Sequence, residues 1–216
     1  MLFALAVLLG CDMFDSASYA KFARDDRFMF LEGTFRIQDM KALECNCPAC
    51  TGHDLEEVRA LPPAKRTALI ARHNLWTSKM ELERVKRAIM EGDLWELVER
   101  RCRSHPALLD ALRGIGKHQH FLERYEPLSR DHALFYTGAE TFNRPAFLRF
   151  RKRLIERYEH PATEVGMTFE EPEKPYSRTL RPAMDSILAI SDAHFQVISP
   201  FGPVPIELDE VYPISQ

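Results

Sequence analysis

The residues best placed to do chemistry are three clustered cysteines and two aspartates near the start of the chain. Cys45-x-Cys47-x-x-Cys50 offers three soft thiolates from one loop, which Pro48 and Gly52 bend. Structural zinc sites fill four tetrahedral positions with Cys or His, so this loop supplies three and the fourth comes from elsewhere. His53 lies close by and would do little to fold the chain. His73 ends a predicted helix and would clip that helix to the loop, at a closure cost that grows only logarithmically with loop length. The expected fourth ligand is His73, with His53 left open. A Cys3His set keeps no position free, so the expected ion is structural and catalysis belongs to other residues.

Asp12 and Asp15 bracket Met13-Phe14 in a short apolar stretch, residues 11–14, that reads as a buried strand. Strand residues three apart face opposite sides, so the two carboxylates do not form an acid/base pair. A carboxylate at the end of a parallel strand would sit where barrel enzymes place their chemistry. The plain structural alternative is that Asp15 caps the helical turn that runs from Ser16 to Phe22.

The elements that must position these residues follow from pattern. Residues 1–9 read as a buried helix ended by Gly10. Residues 28–31 and 34–37 read as a hairpin turning at Glu32-Gly33. Residues 54–58 and 63–74 read as helices parted by Pro62-Pro63. Ser78 with Glu81 forms a capping-box pattern, which predicts a new helix carrying Leu82, Val85 and Ile89. Asp93 with Glu96 opens the next, with Leu94, Leu97 and Val98 as its stripe. Pro106 suits a first helical residue, with Leu108, Leu109 and Leu112 after it. A helix from Phe121 stops by Pro127, and a domain boundary is placed near Glu126. Beyond it, residues 133–136 are strand-like, Thr137-Gly138 is a turn and residues 144–158 form an amphipathic helix. Its apolar face is Phe147, Phe150, Leu154 and Tyr158, and Arg149, Arg151, Lys152, Arg153 and Arg157 cover the rest. Residues 159–176 read as irregular, 182–190 as helix and 195–198 as strand. Residues 199–213 hold too many prolines for regular structure. Trp76, Trp95 and Cys102 are expected in the core, with His118 and His120 at the surface.

Composition narrows the classes. The 216 residues are 45% hydrophobic, which excludes global disorder, and 14 Pro with 9 Gly exclude one long coiled coil. A net charge of -3 gives no global field for nucleic acid, so any RNA contact needs a local patch. No apolar run approaches the ~20 residues of a membrane helix, and no membrane partner is expected. Five cysteines, three of them clustered, suit a metal better than a disulfide framework and point to a reducing cytoplasm. Leu8-Leu9-Gly10-Cys11 has the look of a lipoprotein box. No Lys or Arg precedes Lys21 to make a secretory signal, so a lipid-anchored protein starting at Cys11 is a minor reading.

Taken together, residues 10–19 (Gly-Cys-Asp-Met-Phe-Asp-Ser-Ala-Ser-Tyr), Glu32-Gly33-Thr34, the Cys45/Cys47/Cys50 loop and His73-Asn74 resemble the tRNA-guanine transglycosylases. The Asp-Ser-Ala-Ser-Tyr form and residues 200–213 resemble the archaeal branch, which makes archaeosine. The resemblance implies an α/β fold, the C-terminal part of a TIM barrel with a zinc-binding subdomain over residues 1–126, then a small α+β accessory domain over 127–216. It implies Asp15 as nucleophile and Cys45, Cys47, Cys50 and His73 as ligands of Zn2+. The implied reaction is base exchange on tRNA. Asp15 attacks the ribose C1′ of a D-arm guanosine, guanine leaves, and free 7-cyano-7-deazaguanine takes its place. A TIM barrel takes about 250 residues, so the resemblance also implies an N-terminal half of the enzyme, or a homo-oligomer, as partner. A second reading is a non-catalytic, zinc-containing tRNA-docking subunit.

Overall fold

A computed structural model describes residues 1–15, 17–127, 134, 136–159, 164–169, 175–199 and 202–210. The chain divides into two compact units, Met1–Gly114 and Ile115–Gln216. The sequence places a boundary later, near Glu126. Helix α7 belongs with the second unit because it packs on α8, and Arg144 forms a buried ion pair with Glu126 just after α7.

In the first unit, α1 (Phe3–Leu8) buries Ala4 and Leu5. It ends as expected at Gly10, whose φ of 93° suits glycine. Gly10 N–H donates to the Val7 carbonyl and Cys11 N–H to that of Ala6, which satisfies the last carbonyls in a Schellman arrangement. The strand expected over residues 11–14 does not form. No strand lies beside this segment among the described residues, and Met13 is 87% exposed. A lone strand leaves its backbone groups unpaired, so the segment stays a loop, anchored where Phe14 meets the Phe3 ring edge-on at 4.9 Å. The opposite-face argument for Asp12 and Asp15 lapses with it.

Helix α2 (Ser18–Arg24) leads into β1 (Arg27–Met29), which pairs antiparallel with β2 (Thr34–Arg36) in the expected hairpin. Helix α3 (Leu55–Ala60) starts at a capping box made by Asp54 and Glu57, which the sequence reading did not mark. Two expected helices are one: α4 runs unbroken from Pro63–Met90, 28 residues, or ~42 Å at 1.5 Å per residue. Ser78 is no cap. Its hydroxyl donates to the Asn74 carbonyl one turn back, while buried Glu81 accepts two bonds from the Arg101 guanidinium at 2.5 and 2.9 Å. Neither glycine nor proline stands between residues 74 and 78 to break the helix.

Helix α5 (Leu94–Cys102) packs on α1 and α4, and α6 (Pro106–Arg113) follows with proline in its first turn. Trp95 is 2% exposed, with its indole N–H donating to Glu99 at 2.7 Å, and Cys102 is buried as expected. Trp76 corrects its expectation: it is 42% exposed, because the buried stripe of α4 is Ile70, His73, Asn74, Ser78, Glu81, Val85 and Ala88. That stripe is largely polar, so a search for apolar periodicity misses it.

The second unit holds α7 (Gln119–Tyr125) and α8 (Pro145–Arg157). Its sheet has the order β3 (Glu164–Phe169), β4 (Ala193–Ser199), β5 (Gly202–Pro205). Strands β3 and β4 run parallel, joined by a connection containing α9 (Tyr176–Thr179) and α10 (Arg181–Leu188). Phe147, Tyr176, Val197 and Val204 form its core. Two expectations fail here. Residues 159–176 contain β3, whose six residues pair along all of β4 except Ser199. The proline-rich tail contains β5, an edge strand, where proline is tolerated because one row of N–H groups needs no partner. Of the expected strand over 133–136, residues 133 and 135 fall outside the described residues and Leu134 and Tyr136 are not in a strand; residues 200, 201 and 211–216 of the tail also fall outside. His118 and His120 are exposed, as expected.

Candidate metal centre and the Asp15 loop

Residues 45–52 form the expected loop, and it faces α4. The Cys47 carbonyl accepts from the Cys50 and Thr51 N–H groups and from the Thr51 hydroxyl, which curls the loop so that its sulfurs converge. His73 Nδ1 lies 3.4 Å from Cys45 Sγ, 3.6 Å from Cys47 Sγ and 3.4 Å from Cys50 Sγ. All four donor atoms lie within 4.8 Å of one another, and together they could hold a metal ion. An ion bound tetrahedrally at ~2.3 Å from sulfur and ~2.0–2.1 Å from nitrogen has N···S edges of ~3.6 Å, which the structure matches. His53 is not part of this cluster. Its ring sits 3.7 Å from the Glu57 carboxylate at the surface.

The ring of His73 is fixed from behind. Its Nε2 is 2.9 Å from the Met29 carbonyl, which only accepts, so Nε2 carries the proton and Nδ1 turns its lone pair to the sulfurs. Phe28 and Phe30 pack on the ring with centroids 4.8 and 5.1 Å away. Burial lowers the pKa of His73, against the opposing pull of the Met29 hydrogen bond, and so favours the neutral, metal-binding form. Burial likewise raises the Cys45 and Cys50 thiols, and a bound cation would reverse that by stabilising thiolate.

Sequence reading missed the residues that brace this cluster. Asn74 follows His73 on the buried face of α4. Its Oδ1 accepts from Met29 N–H at 2.7 Å, and its Nδ2 donates to the Tyr19 and Arg27 carbonyls at 3.1 and 3.0 Å. One side chain thus ties α2 and β1 to α4. Arg59 gathers the carbonyls of Ile37, Gln38 and Met40, just ahead of the cysteine loop. Arg66 grips both oxygens of Asp26 at 2.9 Å. Only the adjacency of Asn74 to His73 hinted at any of this. Replacing Asn74 by Ala removes three hydrogen bonds to backbone groups, of which the one from Met29 N–H is buried and the two to the Tyr19 and Arg27 carbonyls are partly buried. It should destabilise the first unit by roughly 3 kcal/mol in urea denaturation, and a loss under 1 kcal/mol would contradict the bracing role.

Asp15 stands apart from the cluster, on the loop between α1 and α2. It is exposed, and no side-chain hydrogen bond or ion pair engages its carboxylate among the described residues. It caps no helix: α2 starts at Ser18, and its N-cap, Ala17, makes no side-chain bond. Asp12 is exposed on the same loop. No described helix is long and apolar enough to cross a membrane.

Comparison with known proteins agrees with this layout. Residues 1–107 match the family model described as queuine tRNA-ribosyltransferase. The whole chain aligns with proteins named tRNA-guanine(15) transglycosylase. It is 42% identical to one from Methanococcus maripaludis, 40% to one from Methanobrevibacter smithii and 41% to one from Methanocaldococcus jannaschii. Each alignment covers all of this chain and 33%, 34% and 32% of the respective relative, so the chain spans about a third of their length. The match bears out the expected fold class at the level of the TIM-barrel fold, with mixed helix and strand and a Cys3His cluster compatible with zinc. Among the described residues of Met1–Gly114 the only strands are those of the hairpin. Residues 1–107 thus resemble the family that this model describes, and the whole chain is similar to about a third of the length of archaeal proteins named tRNA-guanine(15) transglycosylase.

Proposed function

We propose that this chain carries the nucleophile and the structural metal of a tRNA-guanine(15) transglycosylase, a pentosyltransferase of archaeosine biosynthesis. The reading rests on identity of 40–42% to such enzymes along the full chain. In this proposal residues 1–126 are the C-terminal part of the catalytic barrel and 127–216 an accessory domain. The remaining part of the barrel, as a further stretch of polypeptide or a partner, completes the site. A tRNA substrate places the protein in the cytoplasm.

Asp15 suits the role assigned to it. Among the described residues no cation or donor lies against it, so its carboxylate keeps a lone pair for ribose C1′. The C1′–N9 bond breaks as the carboxylate–C1′ bond forms, and guanine departs with the bonding pair. The incoming 7-cyano-7-deazaguanine then attacks C1′ through its N9 and displaces the carboxylate, and the N9 proton that it gives up balances the proton that the departing guanine takes up at N9. Splitting one displacement into two passes an oxocarbenium-like centre beside a negative charge, as in retaining glycosidases. The target base must leave its stack first, at a cost of a few kcal/mol.

The metal in this proposal is Zn2+, held by Cys45, Cys47, Cys50 and His73. It takes no part in the exchange. Its closed Cys3His set supports the hairpin and α4. The function is tested by incorporation of labelled guanine into tRNA, with this chain combined with a polypeptide covering the rest of the barrel. Exchange that needs this chain supports the reading. Exchange in its absence, or binding of tRNA with no exchange, would return the chain to a docking role.

A further inference from the structure

We propose that α8 of the second unit presents an arginine stripe, Arg149, Arg153 and Arg157, to the phosphate backbone of structured RNA. The proposal rests on the tRNA reading above and assigns part of its binding surface. Helix α8 carries five cations and one acid over 13 residues, a local charge of +4 in a chain whose net charge is -3. Its apolar face is spent inward, with Ala146 and Phe147 buried and Phe150 packed on the core of the sheet. Two of the cations are engaged locally. Arg151 lies over the Phe142 ring at 5.6 Å, and Lys152 pairs with Glu156 at 4.0 Å. The other three recur every four residues, so they stack along one flank with about 5–6 Å between successive Cβ atoms.

No carboxylate is paired with any of the three among the described residues. Arg149 donates only to the neutral Pro127 carbonyl at 3.1 Å, and Arg153 and Arg157 are exposed. Like charges at this spacing weaken a helix by a few tenths of a kcal/mol per pair. Complementing the helix C-terminus accounts for Arg157 alone, since that effect fades within the last turn. A row of guanidiniums on a rigid rod matches a row of phosphates, which accept paired N–H bonds and release counterions on contact.

The test measures binding of a fluorescent archaeal tRNA to this chain across a salt series. Arg153→Gln/Arg157→Gln is compared with the wild type, and circular dichroism monitors the fold. Both side chains are exposed, so the variant should melt as the wild type does. Its dissociation constant should rise on the order of tenfold, and the slope of log K against log salt should flatten by about 2, close to one per lost phosphate contact. Arg153→Lys/Arg157→Lys should keep most of the slope, because charge rather than shape carries it. Unchanged affinity and slope in the Gln variant would overturn the stripe while leaving tRNA binding in place. A wild-type chain that binds no tRNA would overturn it as well. So would a Gln variant that loses only phosphatidylserine vesicles, since the partner would then be a lipid surface. An Asp15→Ala chain that binds tRNA like the wild type, but supports no base exchange when combined with the rest of the barrel where the wild-type chain does, separates this proposal from the catalytic one.

Discussion

Cys50→Ser is expected to unfold much of the first unit, and chelation of the metal should do the same to the wild type. Cys50 is 2% exposed and sits in a core with Phe28, Ile37, Val58 and Ile70. That core is small, and the hairpin beside it has three residues per strand. Two strands of that length are at best marginal alone. Structural zinc contributes roughly 10–16 kcal/mol of apparent binding energy in small metal-folded domains, against a typical total stability of about 5–15 kcal/mol. Losing one of four ligands therefore exceeds what the core can offset. Metal content should fall from one equivalent toward zero. Amide protection should vanish from the hairpin and from the N-terminal half of α4, where His73 and Asn74 hold it. His53→Ala is the matched control. It removes an exposed contact outside the cluster, so the change should stay within about 0.5 kcal/mol. If instead Cys50→Ser melts like the wild type, the cluster is not what holds this unit.

Asp15→Ala is expected to abolish base exchange while leaving the fold and tRNA binding intact. The side chain is exposed and bonds to nothing among the described residues, so stability should change by no more than about 0.5 kcal/mol. The turnover effect should be on the order of 10⁴-fold or more, the scale seen when a residue that acts through bond formation is removed. Asp15→Asn tests the same point more sharply. It keeps shape and polarity but removes the charge that forms the ester and steadies the oxocarbenium-like centre. Substrate affinity unchanged with turnover lost would separate this role from docking. Turnover within tenfold of wild type in either variant would leave Asp15 no covalent part.

How much of this could be read from the chain depends on which forces set each feature. The cysteine loop and His73 were legible because metal coordination is written in residue type and spacing. The hairpin was legible because Glu32-Gly33 separates two apolar runs. The single α4 was not. Ser78 and Glu81 look like a cap locally, and only the Arg101 partner from α5, a tertiary contact, shows otherwise. Trp76 was misread for a related reason: the buried stripe of α4 is built from His73, Asn74, Ser78 and Glu81, which a hydrophobic count ignores. Strand β3 was hidden by its acidic, proline-rich flanks. Strand β5 was hidden by Pro203 and Pro205, which an edge position accommodates and a central one would not. Residues 11–14 failed in the other direction. Their composition suits a strand, but strands form only against neighbours, and none lies beside them among the described residues.

The most direct measurement is to quench the exchange reaction, with this chain, its complementary barrel segment and tRNA present, and to map the covalent adduct by nuclease digestion and peptide mass spectrometry. A nucleotide attached through ribose to the peptide containing Asp15, and absent from Asp15→Ala, is the predicted result. An adduct on any other residue, or base exchange with no protein-bound nucleotide at any time point, would contradict it.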